Sequence, residues 1–378
     1  MKVCVVVINS IWFDPRVTKQ ISEYSKEHNV VSVGLQDSKM NEDEIKKLPG
    51  EIKIVSIDKK YYRKNRTLLT KIRRELLIYK RIKKAIIETH ANIIHANDLD
   101  ALVPAYYASK KMKCRLVYDT HEIFLENHNI ANSFFKKKFW SFFEKRIIKK
   151  VDCVVCVSHA AADYFSKKYN IKKKMVITNC AKSCNKEYKS KSIPKNKFEV
   201  LNHGQYYAGR GYDLMIEAAK TNDNQRITFV LRGFGSLEEK LRNEVKTNGL
   251  NNVRFDPPVR VYELIDKANE SQVGLAITEP TCLNFELSVS NKIFEYAAAG
   301  LPVIMSDIPE HRFLNEKYDF GIVLNSNTPE CLNNAIDNLI SNNYLYECLS
   351  KNALKMSKEL TWEKEFSKLI EFERGLTE

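Results

Sequence analysis

The chain alternates, twice over, between short apolar runs and stretches of helical character, and few architectures accommodate that pattern. Residues 2–8 read as a strand, and Asp14-Pro15 opens a helix expected to run to about His28. Further apolar runs follow at Val30–Leu35, Ile52–Ile57, Ile93–His95, Leu116–Tyr118 and Val154–Val157. A second series takes in Glu199–Asn202, Ile227–Leu231, Val253–Phe255, Val273–Ile277 and Pro302–Ser306, with helices expected near 211–220, 236–247, 261–269, 291–299 and 329–341. Short strands separated by helices imply parallel sheets with helices on both faces. Between the two series, residues 184–197 (CNKEYKSKSIPKNK) lose the apolar pattern and read as a linker. At 378 residues the chain has room for two domains of ordinary size.

Ligand-binding groups in such sheets gather at the carboxyl ends of the strands. In the first half those ends carry Asn9, Asn97-Asp98, Asp119 to Glu122 and Ser158. No apolar run approaches the roughly 20 residues of a membrane span. The N-terminus reads as a buried strand without a cleavage site, so a cytoplasmic location is expected. Nine cysteines fit that compartment. Cys153 and Cys156 fall on a strand, where residues three apart point to opposite faces, so the pair reads as buried thiols and not as metal ligands.

The net charge of +14 is unevenly spread, because residues 1–185 hold 37 Lys+Arg against 19 Asp+Glu. Twelve of these bases lie in Lys59–Lys84, and seven in Phe134–Lys150 (FFKKKFWSFFEKRIIKK), there among Phe and Trp. A basic, aromatic helix suits an anionic membrane surface. A core helix with Phe135, Phe139, Phe142 and Ile147 facing the sheet is the plainer alternative.

Three segments of the second half carry chemistry. In Asn202-His203-Gly204-Gln205, followed by Gly209-Arg210-Gly211, a strand ends and a helix opens, so backbone N–H groups and Arg210 can meet a phosphate. Leu231-Arg232-Gly233-Phe234-Gly235 is a second glycine turn after a strand. In Ser290-Asn291-Lys292-Ile293-Phe294-Glu295-Tyr296, Ser290 is placed as an N-cap and Glu295 sits between aromatic neighbours in a largely apolar helix.

In this order the segments resemble the family-4 retaining glycosyltransferases, whose GT-B architecture sets two facing Rossmann-like domains around an interdomain cleft. The matching pieces in the first half are Asp14-Pro15-Arg16-Val17, Ile94-His95-Ala96-Asn97-Asp98, Val117-Tyr118-Asp119-Thr120-His121-Glu122, Val157-Ser158 and Asn179. In the second half they are Gly204, Arg210-Gly211, Gly233, Gly235, Asn291 to Tyr296 and Gly300-Leu301-Pro302. The resemblance implies an acceptor-side domain over 1–188, a nucleotide-sugar domain over 197–359, and a terminal helix, 360–378, crossing back to the first. It implies that Glu295 binds the ribose hydroxyls and that Arg210 neutralises the leaving diphosphate. Gly204, Gly233, Val259, Asn291 and Lys292 line the rest of the donor site by the same resemblance. His121 then reaches the donor sugar as the second catalytic residue, and Arg16, Asp98 and Glu122 face the acceptor.

Two positions depart from the family pattern. Leu287 stands where the family usually has a sugar-binding Glu, with Glu286 one step off, and Gln205 stands where a base is common. Lys292 can substitute for that missing base. The expected activity is transfer of a sugar from a nucleoside-diphosphate sugar, UDP being the commoner choice, to a saccharide or polyprenyl-linked acceptor in cell-surface polysaccharide or glycolipid synthesis. No cofactor and no metal are expected, because Asp98-Leu99-Asp100, although it spells the metal-binding pattern of other glycosyltransferases, lies in the acceptor-side half. The protein is expected to lie peripherally on the inner leaflet through 59–84 and 134–150, and to bind no nucleic acid. A sugar-nucleotide epimerase, a non-catalytic partner subunit and an anionic-polymer-binding protein are the competing readings.

Overall fold

The computed structural model describes residues 1–36, 45–56, 67–183 and 186–375. The chain divides into two compact units, Met1–Thr178 with Phe366–Glu378, and Asn179–Glu365. Each is built on one sheet whose paired strands all run parallel.

The first sheet has strands β1 (Lys2–Val6), β2 (Asn29–Leu35), β3 (Glu51–Val55), β4 (Ile93–Asn97), β5 (Arg115–Thr120), β6 (Cys153–Cys156) and β7 (Lys174–Val176), in the order β3-β2-β1-β4-β5-β6-β7. Val3, Val6, Ile93, Ile94, Val117 and Cys156 are fully buried, which is why these strands read as continuous apolar runs and not as alternating ones. The order reverses between β1 and β4, where a doubly wound sheet opens a crevice at its strand ends. Asp14 caps the helix Pro15–Tyr24 by accepting from the Arg16 N–H at 3.0 Å, and Pro15 sets the first turn. That helix stops four residues short of His28. The Ser25 hydroxyl bonds the Ser22 carbonyl, and the chain turns so that the Asn29 N–H can meet the Met1 carbonyl at 2.9 Å. The short edge strand β7 escaped the sequence reading because Lys174-Met175-Val176 carries no apolar run.

The second sheet has β8 (Phe198–Gln205), β9 (Ile227–Phe234), β10 (Val253–Asp256), β11 (Val273–Ala276), β12 (Val303–Ser306) and β13 (Gly321–Leu324), ordered β10-β9-β8-β11-β12-β13. Strands β8 and β9 pair along their whole length and bring Gly204 opposite Gly233. A side chain cannot enter there, since a Cβ on Gly233 would stand 1.9 Å from the Gly204 oxygen. Gly274 of β11 does a related job: a Cβ would lie 2.2 Å from the Tyr296 ring, so glycine lets the helix Asn291–Ala298 press onto the sheet. Residues 186–197 of the expected linker are anchored within this unit. The Lys191 ammonium bonds the Ser271 carbonyl at 2.6 Å, and its N–H bonds the Ser350 hydroxyl at 2.8 Å. The chain therefore leaves the first unit before that stretch, after Thr178, and re-enters it at Phe366, within the helix Trp362–Gly375.

Candidate functional site

In the second unit the end of β8 collects the donor-side residues. Gly204, Gly209, Gly211 and Gly233 all have positive φ, and the β8–helix turn leaves Tyr207 and Ala208 exposed. Asn202 ties the two cations of the turn together: its Nδ2 donates to the Arg210 carbonyl at 3.1 Å, and its Oδ1 accepts from the Lys292 ammonium at 2.6 Å. The Arg210 guanidinium lies 4.5 Å from the centre of the Phe285 ring, so the ring supports the cation without neutralising it. Lys292 lies 5.0 Å over the Tyr212 ring. Burial, with Arg210 nearby, lowers the Lys292 pKa to about 7, and Glu295 opposes that shift. Lys292 thus brings a second cation to the end of the strand that bears Gln205.

Glu295 leaves 26% of its side chain exposed, and its Oε2 accepts from His203 Nε2 at 2.7 Å. The His203 ring stacks obliquely on Tyr296, 4.5 Å between centroids, and the Tyr296 hydroxyl accepts from the His203 N–H at 3.0 Å. One carboxylate oxygen is therefore aimed from inside the unit while the carboxylate reaches solvent. Sequence reasoning missed this aiming residue, although His203 directly precedes the matched Gly204. Val259 is half-buried in the loop after β10, and Asn291 is exposed at the start of its helix. Ser290 occupies the N-cap position but makes no side-chain cap, which corrects the sequence expectation. Its N–H instead donates to His311 Nε2 at 3.3 Å, while His311 Nδ1 meets the Ser306 carbonyl at 3.0 Å. Two such partners require the Nδ1–H tautomer, and burial accordingly lowers the His311 pKa to about 4. This buried base holds the start of the Asn291 helix, and nothing in its local sequence marks it. Glu286 is exposed and Leu287 half-buried at the close of the short helix Leu283–Glu286.

The first unit gathers its polar groups around the ends of β1, β4 and β5. Asp14 takes Arg16 bidentately, through Nε at 3.0 Å and Nη2 at 2.8 Å. Burial pushes the Asp14 carboxyl up, yet the Arg16 contacts outweigh it and hold the group below the usual range. Arg16 also lies 4.0 Å from Asp98. Asp98 is the first residue of the helix Asp98–Met112 and adopts a left-handed φ of 67°, uncommon for a residue with a side chain. Asn97, not Asp98, stands at the cap position. Burial raises the Asp98 pKa well above the ordinary value. Glu122 accepts from Asn127 at 2.5 Å.

His121 is turned inward. Only 4% of its side chain is exposed, with Nε2 2.6 Å from Asn97 Oδ1 and Nδ1 3.7 Å from Asp119 Oδ1. Burial lowers its pKa to about 4 in spite of Asp119. Asp119 Oδ2 accepts from Gln20 at 2.7 Å and from His95 at 3.0 Å. Gln20 carries no motif signal, and His95 appeared only as a member of a matched segment.

The basic stretch 59–84 lies partly outside the described residues, at 59–66. In the helix Leu68–Ile87, Ile78, Ile82 and Ile86 are buried while Leu69, Ile72 and Leu76 are exposed. In the helix Phe134–Ile147 the three phenylalanines of the core face considered from sequence are exposed, Phe135 by 83%, Phe139 by 53% and Phe142 by 58%, with Phe134 at 72%. Of that face Ile147 is buried, and Glu144 turns inward with it, because Glu144 receives the Tyr118 and Tyr169 hydroxyls behind β5. No helix of the described residues is long and apolar enough to cross a membrane.

Residues 22–181 match the model for Glycosyltransferase Family 4, and residues 185–356 match that for Glycosyl transferases group 1. An uncharacterized glycosyltransferase of Methanocaldococcus jannaschii is 25% identical over 261 residues, 63% of this chain and 64% of that protein, so the chain spans a little under two thirds of that relative's length. The O-antigen chain mannosyltransferase C of Escherichia coli is 25% identical over 57% of this chain and 58% of that protein. Among solved structures, HepE of Anabaena in complex with UDP-glucose superposes with a TM-score of 0.73 at 16% identity, covering 99% of this chain and 100% of that one. The fold is thus the GT-B type, with two Rossmann-like domains.

Proposed function

The chain belongs to the family-4 glycosyltransferases, and from that membership we propose that it moves a sugar, with retention, from a nucleoside-diphosphate sugar to a hydroxyl of a saccharide or lipid-linked acceptor. The observation that carries this reading is the arrangement at the end of β8: Arg210 and Lys292 tied by Asn202 beside a carboxylate, Glu295, that His203 aims from within. Cations beside a glycine-rich turn suit a diphosphate, and a carboxylate that reaches solvent suits the two hydroxyls of a ribose. UDP is the donor nucleotide of choice, supported by the UDP-glucose complex of the structurally similar HepE.

A departing diphosphate gains negative charge in the transition state, and Arg210 and Lys292 supply the matching field. The leaving phosphate itself takes the acceptor proton, so no protein base is required. His121 acts on the donor sugar by exchanging its Asn97 partner for a sugar hydroxyl, while Arg16, Asp98 and Glu122 hold the acceptor. No metal enters this scheme; activity that disappears on exhaustive chelation and returns with Mn²⁺ would refute that part.

The direct test is thermal stabilisation of the whole chain by a panel of nucleoside diphosphates, then by sugar nucleotides. UDP is expected to raise the midpoint, and Glu295→Ala to remove most of the rise; no stabilisation by any nucleotide sinks the proposal. Hydrolysis of a sugar nucleotide by the isolated chain would separate an enzyme from a non-catalytic partner.

The four exposed phenylalanines of Phe134–Ile147, standing among Lys136, Lys137, Lys138, Lys145 and Arg146, further support contact with an anionic membrane. That would bring a lipid-linked acceptor within reach at the inner leaflet. Co-sedimentation with anionic but not neutral vesicles is expected, and equal recovery with both removes the membrane from the proposal.

A further inference from the structure

Within the first unit, a line of buried side chains joins the last helix to His121. Glu373 Oε1 lies 2.7 Å from the Tyr24 hydroxyl, which lies 2.9 Å from His95 Nδ1. His95 Nε2 lies 3.0 Å from Asp119 Oδ2, and Asp119 Oδ1 lies 3.7 Å from His121 Nδ1. Tyr24, His95 and Glu373 are fully buried. None of the three has a part in the scheme above, and each comes from a different element: the helix Pro15–Tyr24, strand β4 and the helix Trp362–Gly375.

Hydrogen-bond chemistry allows this line only two arrangements. Burial pushes the Asp119 carboxyl up, but His121 and His95 outweigh it and hold it below the usual range, so Asp119 is an ionised acceptor. His95 must then carry its Nε2 proton toward Asp119. A phenol donates only once. Either Tyr24 donates to an ionised Glu373 and accepts from a doubly protonated His95, or a protonated Glu373 donates to Tyr24, which donates to a neutral His95. Both arrangements contain the same number of protons. They differ by a shift of two protons along two hydrogen bonds, which either leaves a positive His95 beside Asp119 and a negative Glu373 at the far end, or neutralises both. Burial raises the Glu373 pKa to about 7, with His95 and Tyr24 opposing, so Glu373 is able to hold the proton near neutrality.

His121 stands at the end of this line. Asn97 directs its Nδ2 to the Val6 carbonyl at 3.2 Å, so its Oδ1 must accept from His121 Nε2. A neutral His121 then turns a bare Nδ1 toward Asp119, at a distance that only a proton on Nδ1 would make attractive. The charges facing the ring are Asp14 at the cap and Arg16 in the first turn of the helix Pro15–Tyr24, His95 on β4 and Asp119 on β5. Around Glu373 stand Tyr24, His95 and, on β6, Cys153. Of these groups, the pair His95 and Glu373 can exchange charge without any proton entering or leaving the interior.

We propose that Glu373, Tyr24 and His95 are positioning residues for His121. They keep one proton inside the first unit, and its place on His95 or on Glu373 sets the charge and orientation of the His121 ring. The link to turnover rests on the reading that His121 acts on the donor sugar; the proton's location does not.

The test uses the whole chain with ¹⁵N-labelled histidine. Tyr24→Phe removes the relay hydroxyl but keeps the ring that packs edge-on against Phe366 at 4.8 Å. Glu373→Gln keeps the shape and removes the proton site. The two arrangements hold equal numbers of protons, so the readout is taken at one fixed pH. The ¹⁵N shifts of the His95 ring are expected to differ between the unaltered chain, where the proton is exchanged along the line, and both variants, where it is not. The His121 titration is expected to move by about one pH unit, as coupled groups require. Unchanged His95 ¹⁵N shifts and an unchanged His121 titration in folded Glu373→Gln protein overturn the proposal, whether or not Tyr24→Phe folds. In steady-state kinetics the pH profile of kcat is expected to shift by about one unit, with the donor KM within about twofold. Altered titrations with an unaltered kcat profile overturn the link to turnover. A chain without any transferase activity fails the functional reading alone, since the nitrogen shifts are still decided.

Discussion

The two units carry strand-end clusters of similar composition and opposite orientation. In the second unit the ionic groups lean on neighbours yet stay reachable: Arg210 rests on Phe285, Lys292 on Tyr212, and Glu295 accepts from His203 while meeting solvent. In the first, Gln20, His95, Asp119 and His121 face inward, where Asp119 accepts from Gln20 and His95 and His121 bonds Asn97. The first arrangement leaves hydrogen-bonding capacity open for a ligand. The second commits that capacity to the fold. Substitutions in the second unit's cluster should therefore cost binding and turnover alone, and those in the first unit's should cost stability as well.

The strongest test of that contrast is Asp119→Ala. It leaves Gln20 and His95 donors buried without their acceptor, and the first unit should lose about 3–5 kcal/mol in denaturant unfolding. A loss below about 1 kcal/mol would mean that the inward cluster is not structural. Arg210→Met should do the reverse: kcat should fall about 100-fold, near 3 kcal/mol of transition-state stabilisation, while the unfolding midpoint barely moves. A large drop in stability with unchanged kcat would erase the distinction.

Acid titration sharpens the comparison from another side, because each unit holds a buried histidine, His121 or His311, whose pKa burial lowers to about 4. The unfolded chain takes a proton on each below about 6.5 and the folded chain does not. The stability present above 6.5 is therefore lost as pH falls toward 4, at about 1.4 kcal/mol per pH unit for each histidine. Both units should show this slope, and His311→Asn should remove it from the second alone. The smallest effect concerns Lys292, whose pKa of about 7 belongs to the free protein. Below pH 7 the ammonium is already present and diphosphate affinity should be level. Above it, binding must take up a proton, so affinity should fall by up to about tenfold per pH unit. Lys292→Met should make calorimetric affinity independent of pH across that range.

The architecture was legible because fully buried parallel strands read as apolar runs, and β1, β4, β5, β8 and β9 all announce themselves in that way. Strand β7 and the short helix Leu283–Glu286 did not, since three or four residues carry no period. Gly204 and Gly233 were legible as glycines of a strand-to-helix turn, and the structure adds why they stay glycine: a Cβ on Gly233 would meet the Gly204 oxygen at 1.9 Å, and Gly204 holds a φ of 118°. Residues that act by holding others left no local trace. His203, His311 and Gln20 owe their roles to partners 92, 21 and 99 positions away, and only tertiary structure brings those together. The Phe134–Ile147 helix left two readings open for a related reason. Its aromatic pattern allowed either face to be buried, and it is Glu144, satisfied by two tyrosines, that decides the matter.

The division of the last helix has a consequence for how the protein is made. Residues 366–375 belong to the first unit, with Glu373 buried against Tyr24, yet the ribosome produces them after the whole of the second. The half that is translated first thus waits longest to be finished. Until its final turn arrives, the nascent first sheet leaves the Tyr24 hydroxyl and the His95 imidazole without the carboxylate that completes them. The second unit, 179–365, has all its strands in one stretch of chain and can close during synthesis.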